Sequence, residues 1–170
     1  DFLDRADILC SLGYTVMISN YKKYYKLCEY LSRYTSSRLG FIVGVDNLIE
    51  MFEEKYYRNL NGGIMEAFGI MLTRDIKIYL YPYQSDTTKE LLNSKNIPIH
   101  PRAKSIYKYL FNNKRIEDLD YNSELLNIYS REVLKRIKAC ESGTWEEMVP
   151  KGVAEIITEK SLFGMSCKIK

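Results

Sequence analysis

Short apolar runs rich in β-branched residues alternate with stretches of helical periodicity through the first half of the chain, and this alternation restricts the fold more than any other feature. Tyr14-Thr15-Val16-Met17-Ile18, Arg38-Leu39-Gly40-Phe41-Ile42-Val43-Gly44 and Ile76-Lys77-Ile78-Tyr79-Leu80 read as strands. The first two have the continuous apolar character of strands covered on both faces. The third alternates and ends at Pro82, which suits a place near a sheet edge. Strands separated by helices imply a parallel sheet, because parallel neighbours need crossover connections. The expected class is α/β: a Rossmann-like parallel sheet of about three strands flanked by helices, with a helical C-terminal half.

The helices follow from spacing and caps. Phe2 to Ser11 reads as a helix closed by Gly13. Tyr21, Tyr24, Tyr25, Cys28 and Leu31 recur at helical intervals with Lys22, Lys23, Lys26 and Glu29 opposite. Asp46 is placed to cap a helix whose face is Leu48, Ile49, Phe52 and Tyr56. Asn61-Gly62-Gly63 opens another, with Ile64, Ala67, Phe68 and Met71 on one side. Residues 84–101 are polar, contain two prolines and read as a long surface loop. Beyond them come a helix facing inward through Ala103, Ile106, Tyr107 and Leu110, a short one near 123–128, one starting at Ser130 and one at Val149-Pro150. Between the last two, Thr144-Trp145-Glu146-Glu147 has capping-box form. The expected organisation is a single domain, 1–170, with an α/β part (1–83), a loop (84–102) and a helical part (103–170). The start at Asp1, without an initiator Met, leads us to expect the C-terminal part of a longer chain.

Composition narrows the function classes. At 170 residues, 46% hydrophobic and 28% charged, the chain reads as one globular domain. No apolar run is long enough to span a bilayer, so no membrane partner is expected. No secretory signal is visible at the start. Cys10, Cys28, Cys140 and Cys167 show no metal-binding or redox spacing and His100 is the sole imidazole, which removes zinc-site and Ser/His/Asp chemistry. The expectation is a cytoplasmic protein with reduced thiols. A net charge of +3 does not announce a nucleic-acid partner. Arg102, Lys104, Lys108, Lys114 and Arg115 interleave with Tyr107, Tyr109 and Phe111, but helical register puts Tyr107 with the buried side and the lysines opposite. A solvated face is favoured over a nucleic-acid groove.

In an open parallel sheet ligands bind beyond the carboxyl ends of the strands, which makes Ser19, Asn20, Gly44 and Asp46 candidates. Asp46 read blandly is a helix cap and Gly44 a tight turn. A second candidate is the helix start Ser130-Arg131-Glu132-Val133-Leu134-Lys135-Arg136. Backbone N–H groups and the positive dipole end there suit phosphate, and Arg131 and Lys135 add full charges. The bland alternative is an N-cap at Ser130 beside a solvated basic face.

The run Ile128-Tyr129-Ser130-Arg131-Glu132-Val133-Leu134-Lys135-Arg136-Ile137, followed by Val149-Pro150, Val153, Ile156-Ile157 and Leu162-Phe163-Gly164, resembles the C-terminal signature of nicotinate and nicotinamide mononucleotide adenylyltransferases. In that family an Ile-Ser-Ser-Thr-x-Ile-Arg helix start holds the ATP phosphates and a Val-Pro-x-x-Val-x-x-Tyr-Ile helix ends the domain. Phe41-Ile42-Val43-Gly44-Val45-Asp46-Asn47-Leu48, with Phe52 and Lys55 beyond, is similar to the family's strand ending in Gly-Ala-Asp, which lines the mononucleotide pocket. The chain as a whole is also similar to the C-terminal region of a longer bacterial family whose labels include nicotinate-nucleotide adenylyltransferase and TonB-dependent receptor. Helical spacing through the second half does not fit the alternating segments of a receptor barrel. The resemblance implies an incomplete nucleotidyltransferase fold that binds a mononucleotide and ATP, with Mg²⁺ accompanying the ATP, and that transfers an adenylyl group in NAD biosynthesis when the N-terminal half of the same protein is supplied. Arg131 stands where the family has Thr, Leu134 where it has Arg, and no His-x-Gly-His loop occurs. The isolated chain is therefore expected to be inactive. The alternative is a degenerate, non-catalytic nucleotide-binding or protein-interaction module.

Overall fold

The computed structural model describes residues 2–73, 75–85 and 89–166. In chain order the elements are α1 (Phe2–Ser11), α2 (Tyr24–Leu31), β1 (Leu39–Gly44), α3 (Val45–Met51) and α4 (Gly63–Leu72). Next come β2 (Ile76–Tyr81), β3 (Tyr83–Gln84), β4 (Leu91–Leu92), α5 (Lys104–Asn112) and β5 (Ile116–Asp118). The last two are α6 (Ser130–Ala139) and α7 (Val153–Glu159). The chain divides into two compact units, one of residues 20–126 and one combining 1–19 with 127–170.

The unit of residues 20–126 is α/β, built on a three-stranded parallel sheet flanked by helices, in the order β1-β2-β5. β1 and β2 pair from Leu39↔Ile76 to Gly44↔Tyr81, and β2 pairs with β5 from Ile78↔Ile116 to Leu80↔Asp118. Because side chains alternate along a strand, Phe41 and Val43, Ile76, Ile78 and Leu80, and Ile116 all point to one face. They share a core there with Leu48, Met51, Phe52, Phe68, Tyr107 and Leu110 from the helices and turns. Phe52 stacks on Phe68 with ring centres 4.9 Å apart and meets Tyr107 edge-on at 5.3 Å. The opposite face carries Gly40, Ile42, Lys77, Tyr79 and Glu117, with Ile42 72% exposed. A Cβ at Gly40 would lie 3.0 Å from the Tyr79 ring, so a larger residue there would push that ring aside.

Two strand expectations change. β1 was expected to be buried on both faces and β2 to lie near the edge; β2 is the central strand and β1 an outer one. Alternation in β2 reflects one-sided burial rather than an edge position. Lys77 is tolerated in the central strand because its ammonium pairs with Glu117 of β5 at 2.6 Å and lies 5.6 Å from the centre of the Tyr79 ring. The expected strand at Tyr14-Thr15-Val16-Met17-Ile18 does not form, and residues 14–22 carry no regular element. Tyr14, Met17 and Ile18 are more than half exposed, and no strand among the described residues pairs with them. The third strand is β5, in the part expected to be helical.

Residues 83–85 and 89–99 also carry more structure than a plain surface loop. β3 and β4 pair antiparallel, Tyr83↔Leu92 and Gln84↔Leu91. Ser94 is buried, its backbone N–H and hydroxyl donate to the two Asp118 carboxylate oxygens at 2.8 and 2.6 Å, and the Tyr107 hydroxyl donates to its carbonyl at 2.6 Å. The segment is thereby tied to the carboxyl end of β5.

In the unit combining 1–19 and 127–170, α1, α6 and α7 enclose Ile8, Val133, Ile137, Trp145, Val153 and Ile157. α1 closes at Gly13, φ +87°, as expected from a glycine at the helix end. α6 starts at Ser130 as the spacing indicates, but Tyr129 is its N-cap and its side chain does not cap the helix. α7 starts at Val153 rather than at Pro150, because Pro150 accepts the Val153 N–H in a turn and Gly152, φ +85°, precedes the helix. The capping box at Thr144 is absent. The Thr144 hydroxyl donates to the Glu141 carbonyl, and a short 3₁₀ turn, Glu146–Met148, follows Trp145. The stretch near 123–128 is likewise a single 3₁₀ turn, Ser123–Leu125. Cys10 and Cys28 are free thiols, but Cys140 is disulfide-bonded, which corrects the expectation of reduced thiols throughout; Cys167 lies outside the described residues. No helix among the described residues is long and apolar enough to cross a membrane.

Candidate functional site

The carboxyl end of β1 passes straight into α3, so the last strand residue and the first helical turn share one short stretch. Gly44 is the N-cap of α3, with φ −80° and ψ 170°, and a Cβ there would meet nothing within 4 Å. It is extended backbone rather than a tight turn, with open space beside it. Asp46 is exposed in the first turn of α3 and makes no capping bond, which corrects the expectation that it caps the helix. Its carboxylate still sits at the positive end of α3.

Against α3, which follows this strand end, lies a recess of about 540 Å³, formed wholly by residues of the 20–126 unit. α3 contributes Asn47, Glu50 and Met51, which share a helix face by their spacing. Tyr21, Lys22, Lys23 and Tyr24 approach from the start of α2, and Tyr56 and Tyr57 from the 3₁₀ turn Glu54–Tyr57. The rings are held from behind. Tyr24 packs edge-on against Phe41 of β1 at 5.4 Å, and the buried Tyr57 hydroxyl donates to the Met51 carbonyl at 2.6 Å. Burial pushes the Tyr57 hydroxyl up to about 12, with Tyr25 and Tyr24 adding to the shift. Partial burial also raises Tyr24, and the Glu50 carboxylate adds to it. The Lys23 ammonium donates to the Tyr56 carbonyl and, at 3.2 Å, to the Asn59 side-chain oxygen, which fixes this wall. Lys22 is exposed at the rim.

Chemically the recess offers flat aromatic walls, an amide, a carboxylate and a cation. Such a set suits a planar heteroaromatic ring with a hydrogen-bonding edge and an attached anion. Sequence reasoning missed it by one residue on each side, choosing Asn20 and Asp46 where Tyr21 and Asn47 line the wall. The available signal was Tyr21-Lys22-Lys23-Tyr24-Tyr25, where rings and cations alternate too closely for a purely buried face.

The remaining sequence candidates, Ser19, Ser130, Arg131 and Lys135, belong to the other unit. All four are exposed. Ser130 and Arg131 line a common groove of about 740 Å³ together with Leu134, the residue that replaces the family's arginine; Lys135 does not line it. In the basic segment expected to present a solvated face, Arg102 pairs with Glu54 at 3.8 Å and Arg115 with Asp75 at 2.9 Å. Arg38 meets the same Asp75 at 2.6 Å, and its hydrogen bond and charge hold that carboxyl below the usual range. Tyr107 is buried, so its ring is not offered to a base. Among the described residues no three His, Cys, Asp or Glu side chains are grouped to hold a metal ion. Comparison with protein-family models, with curated proteins and with solved structures finds no match for this chain.

Proposed function

We propose that this chain is a nucleotidyltransferase-like domain whose 20–126 unit binds a mononucleotide. The base stacks among Tyr21, Tyr24 and Tyr56, its edge meets Asn47 and Glu50, and the phosphate turns toward Lys22. The observation that carries the reading is the tyrosine-walled recess against α3, the helix that follows β1, whose lining also includes two lysines, an amide and a carboxylate. Base–aromatic stacking contributes about 1–3 kcal/mol per base, and the recess volume lies within the range of small-molecule sites. The resemblance to mononucleotide adenylyltransferases points to the strand end from which α3 starts.

Adenylyl transfer would require a phosphate oxygen of the mononucleotide to attack the α-phosphorus of ATP, forming the new P–O bond as pyrophosphate leaves with the electron pair. Stabilising that charge falls to preorganised donors and cations. Leu134 in place of arginine, within a mostly apolar groove, favours the second reading, a module that binds nucleotide without turning it over.

Calorimetric titration with nicotinate mononucleotide and with ATP tests the binding claim. Saturable binding is expected for the mononucleotide, weakened about tenfold or more by Tyr24→Ala and much less by Tyr24→Phe, which keeps the ring. Lys22→Ala is expected to weaken binding and flatten its salt dependence. Absence of binding by the wild-type chain, or equal affinity in Tyr24→Ala, would sink the proposal. Pyrophosphate release measured with both substrates present separates the two readings.

A further inference from the structure

Three lysines gather at one pocket of the 20–126 unit without an acid to balance them. Lys95, from the turn after β4, and Lys104 and Lys108 of α5 line a cavity of about 650 Å³, and among the described residues no carboxylate lines it. None of the three makes an ion pair or a side-chain hydrogen bond among the described residues. Helix chemistry disfavours this arrangement twice. Lys104 and Lys108 stand one turn apart, where like charges repel, and Lys104 opens α5, where the dipole favours acids and the first turn carries none. The arginines of the same segment are engaged elsewhere, Arg102 with Glu54 and Arg115 with Asp75, and Lys114 lies outside the lining. Unbalanced positive charge is therefore concentrated at the pocket rather than spread along a track.

The lining is held in shape by bonds that leave the lysines free. Ser94 is fastened to Asp118 through its N–H and hydroxyl and accepts the Tyr107 hydroxyl at its carbonyl. In the adjoining turn the Asn93 side-chain oxygen accepts the Lys95 N–H at 2.9 Å, and Asn96 accepts the Asn93 N–H at 2.8 Å while donating to the Leu91 carbonyl at 3.0 Å. Ile97 is buried just beyond it. On α5 the half-buried Phe111 ring lies nearly parallel to Tyr107, with 10° between planes and 6.3 Å between centres. Phe111, Ile97, Pro98 and Ile99 thus give the charged pocket an apolar wall.

Charge and shape together select the occupant. Lysine binds phosphate as a point charge, and several lysines around one pocket call for a compact group bearing several negative charges, which a single carboxylate does not supply. Phosphopeptides are gripped by arginine clusters, and no arginine lines this pocket among the described residues. A nucleic-acid strand spaces its phosphates along a path and needs cations beyond the pocket, where the arginines already have carboxylate partners. A diphosphate concentrates its charge on adjacent phosphoryl groups, and an ester of it brings an organic body for the apolar wall. The cavity volume lies within the range of small-molecule sites.

We propose that this pocket binds a diphosphate ester, its diphosphate among Lys95, Lys104 and Lys108 and its organic body against Phe111 and Ile99. The pocket shares no residue with the tyrosine recess or with Ser130, Arg131 and Lys135, so the proposal stands or falls independently of mononucleotide binding.

The test is calorimetric titration of the whole chain with inorganic phosphate, pyrophosphate, geranyl diphosphate and ADP, the last in a Tyr24→Ala background so that the tyrosine recess does not contribute. Pyrophosphate is expected to bind about tenfold or more tightly than phosphate, with affinity that falls as salt rises. Geranyl diphosphate or ADP should gain about tenfold over pyrophosphate, and whichever gains identifies the source of the ligand. That gain, but not pyrophosphate binding, should shrink in Phe111→Leu. Joint replacement Lys104→Ala and Lys108→Ala, both at exposed positions, should lower every diphosphate affinity about tenfold or more while the thermal midpoint holds or rises slightly, since a like-charge pair is removed. Lys108→Arg keeps the charge and should stay within about threefold of wild type. Lys26→Ala, exposed and outside the lining, removes the same charge as either single variant and should change nothing. Pyrophosphate binding no tighter than phosphate, no gain from either organic body, a double variant that binds like wild type, or an equal loss in Lys26→Ala would each overturn the proposal. So would a single-stranded oligonucleotide that binds more tightly than any diphosphate and is lost in the same double variant, which would make the pocket a nucleic-acid contact instead.

Discussion

Trp145→Ala is expected to destabilise the unit containing α1, α6 and α7 by about 3–5 kcal/mol, a large fraction of the stability of a small domain. Trp145 is 0% exposed, and its ring is packed among Ile8, Val133, Ile137, Val153 and Ile157. Truncation to alanine removes the transfer free energy of the indole and leaves a cavity that three short helices can close only in part. The indole N–H adds a second expectation, since it is buried and finds no acceptor among the described residues. A donor left unpaired in the interior costs about 1–3 kcal/mol. Trp145→Phe keeps most of the apolar area and deletes that donor, so its net cost should stay within about 1 kcal/mol. Urea unfolding followed by circular dichroism distinguishes the two variants through their midpoints, provided the slope is unchanged. Equal destabilisation by alanine and phenylalanine would show that the N–H is bonded in solution and that the cavity argument is incomplete.

Features that depend on local periodicity were legible in the sequence, and features that depend on a distant neighbour were not. α1 with its Gly13 closure, β1, β2 and the start of α6 follow from spacing and from glycine chemistry within a few residues. β5 is invisible locally because two of its three residues are charged. Glu117 is accommodated by Lys77 of β2, and Asp118 by the Ser94 backbone and hydroxyl. The opposite error occurred at Tyr14-Thr15-Val16-Met17-Ile18, whose strand-like composition has no ladder partner to satisfy. Composition proposes a strand, but hydrogen-bonding neighbours make one. The same distinction governs the candidate site. The strand-end rule singles out Gly44 and Asp46, neither of which lines the recess. The recess is lined from three separated segments, two of which supply its tyrosines, and their convergence is a tertiary fact. At Ser130 the helix start was readable, but the apolar character of its surroundings was set by residues of α1 and α7 far away in the chain.

The 20–126 unit should also lose stability steeply between pH 9 and pH 12, and the reason lies in what its core conceals. Burial pushes the Cys28 thiol and the Tyr57 and Tyr107 hydroxyls each up to about 12, from ordinary values of 9.0 and 10.0. In this window the unfolded chain releases protons that the folded chain retains. The stabilisation is therefore fully present below the unfolded values and is lost as pH rises through the folded ones. Each group contributes a slope of up to about 1.4 kcal/mol per pH unit, the thiol beginning near pH 9 and the phenols near pH 10. Partial access of water to these groups makes that slope an upper bound. Both phenols donate hydrogen bonds to backbone carbonyls, Tyr57 to Met51 and Tyr107 to Ser94, and ionisation removes the donor. Because the dominant cause is desolvation rather than a neighbouring charge, added salt should change the profile little. Urea midpoints at pH 8, 9, 10 and 11 measure it. Cys28→Ala should flatten the fall from pH 9, and Tyr57→Phe should be weaker by about 1 kcal/mol at pH 8, from the lost hydrogen bond, yet lose less above pH 10. A Tyr57→Phe profile parallel to wild type above pH 10 would mean that this hydroxyl ionises as readily in the folded state as in the unfolded chain, and that the interior around Met51 and Phe68 admits water.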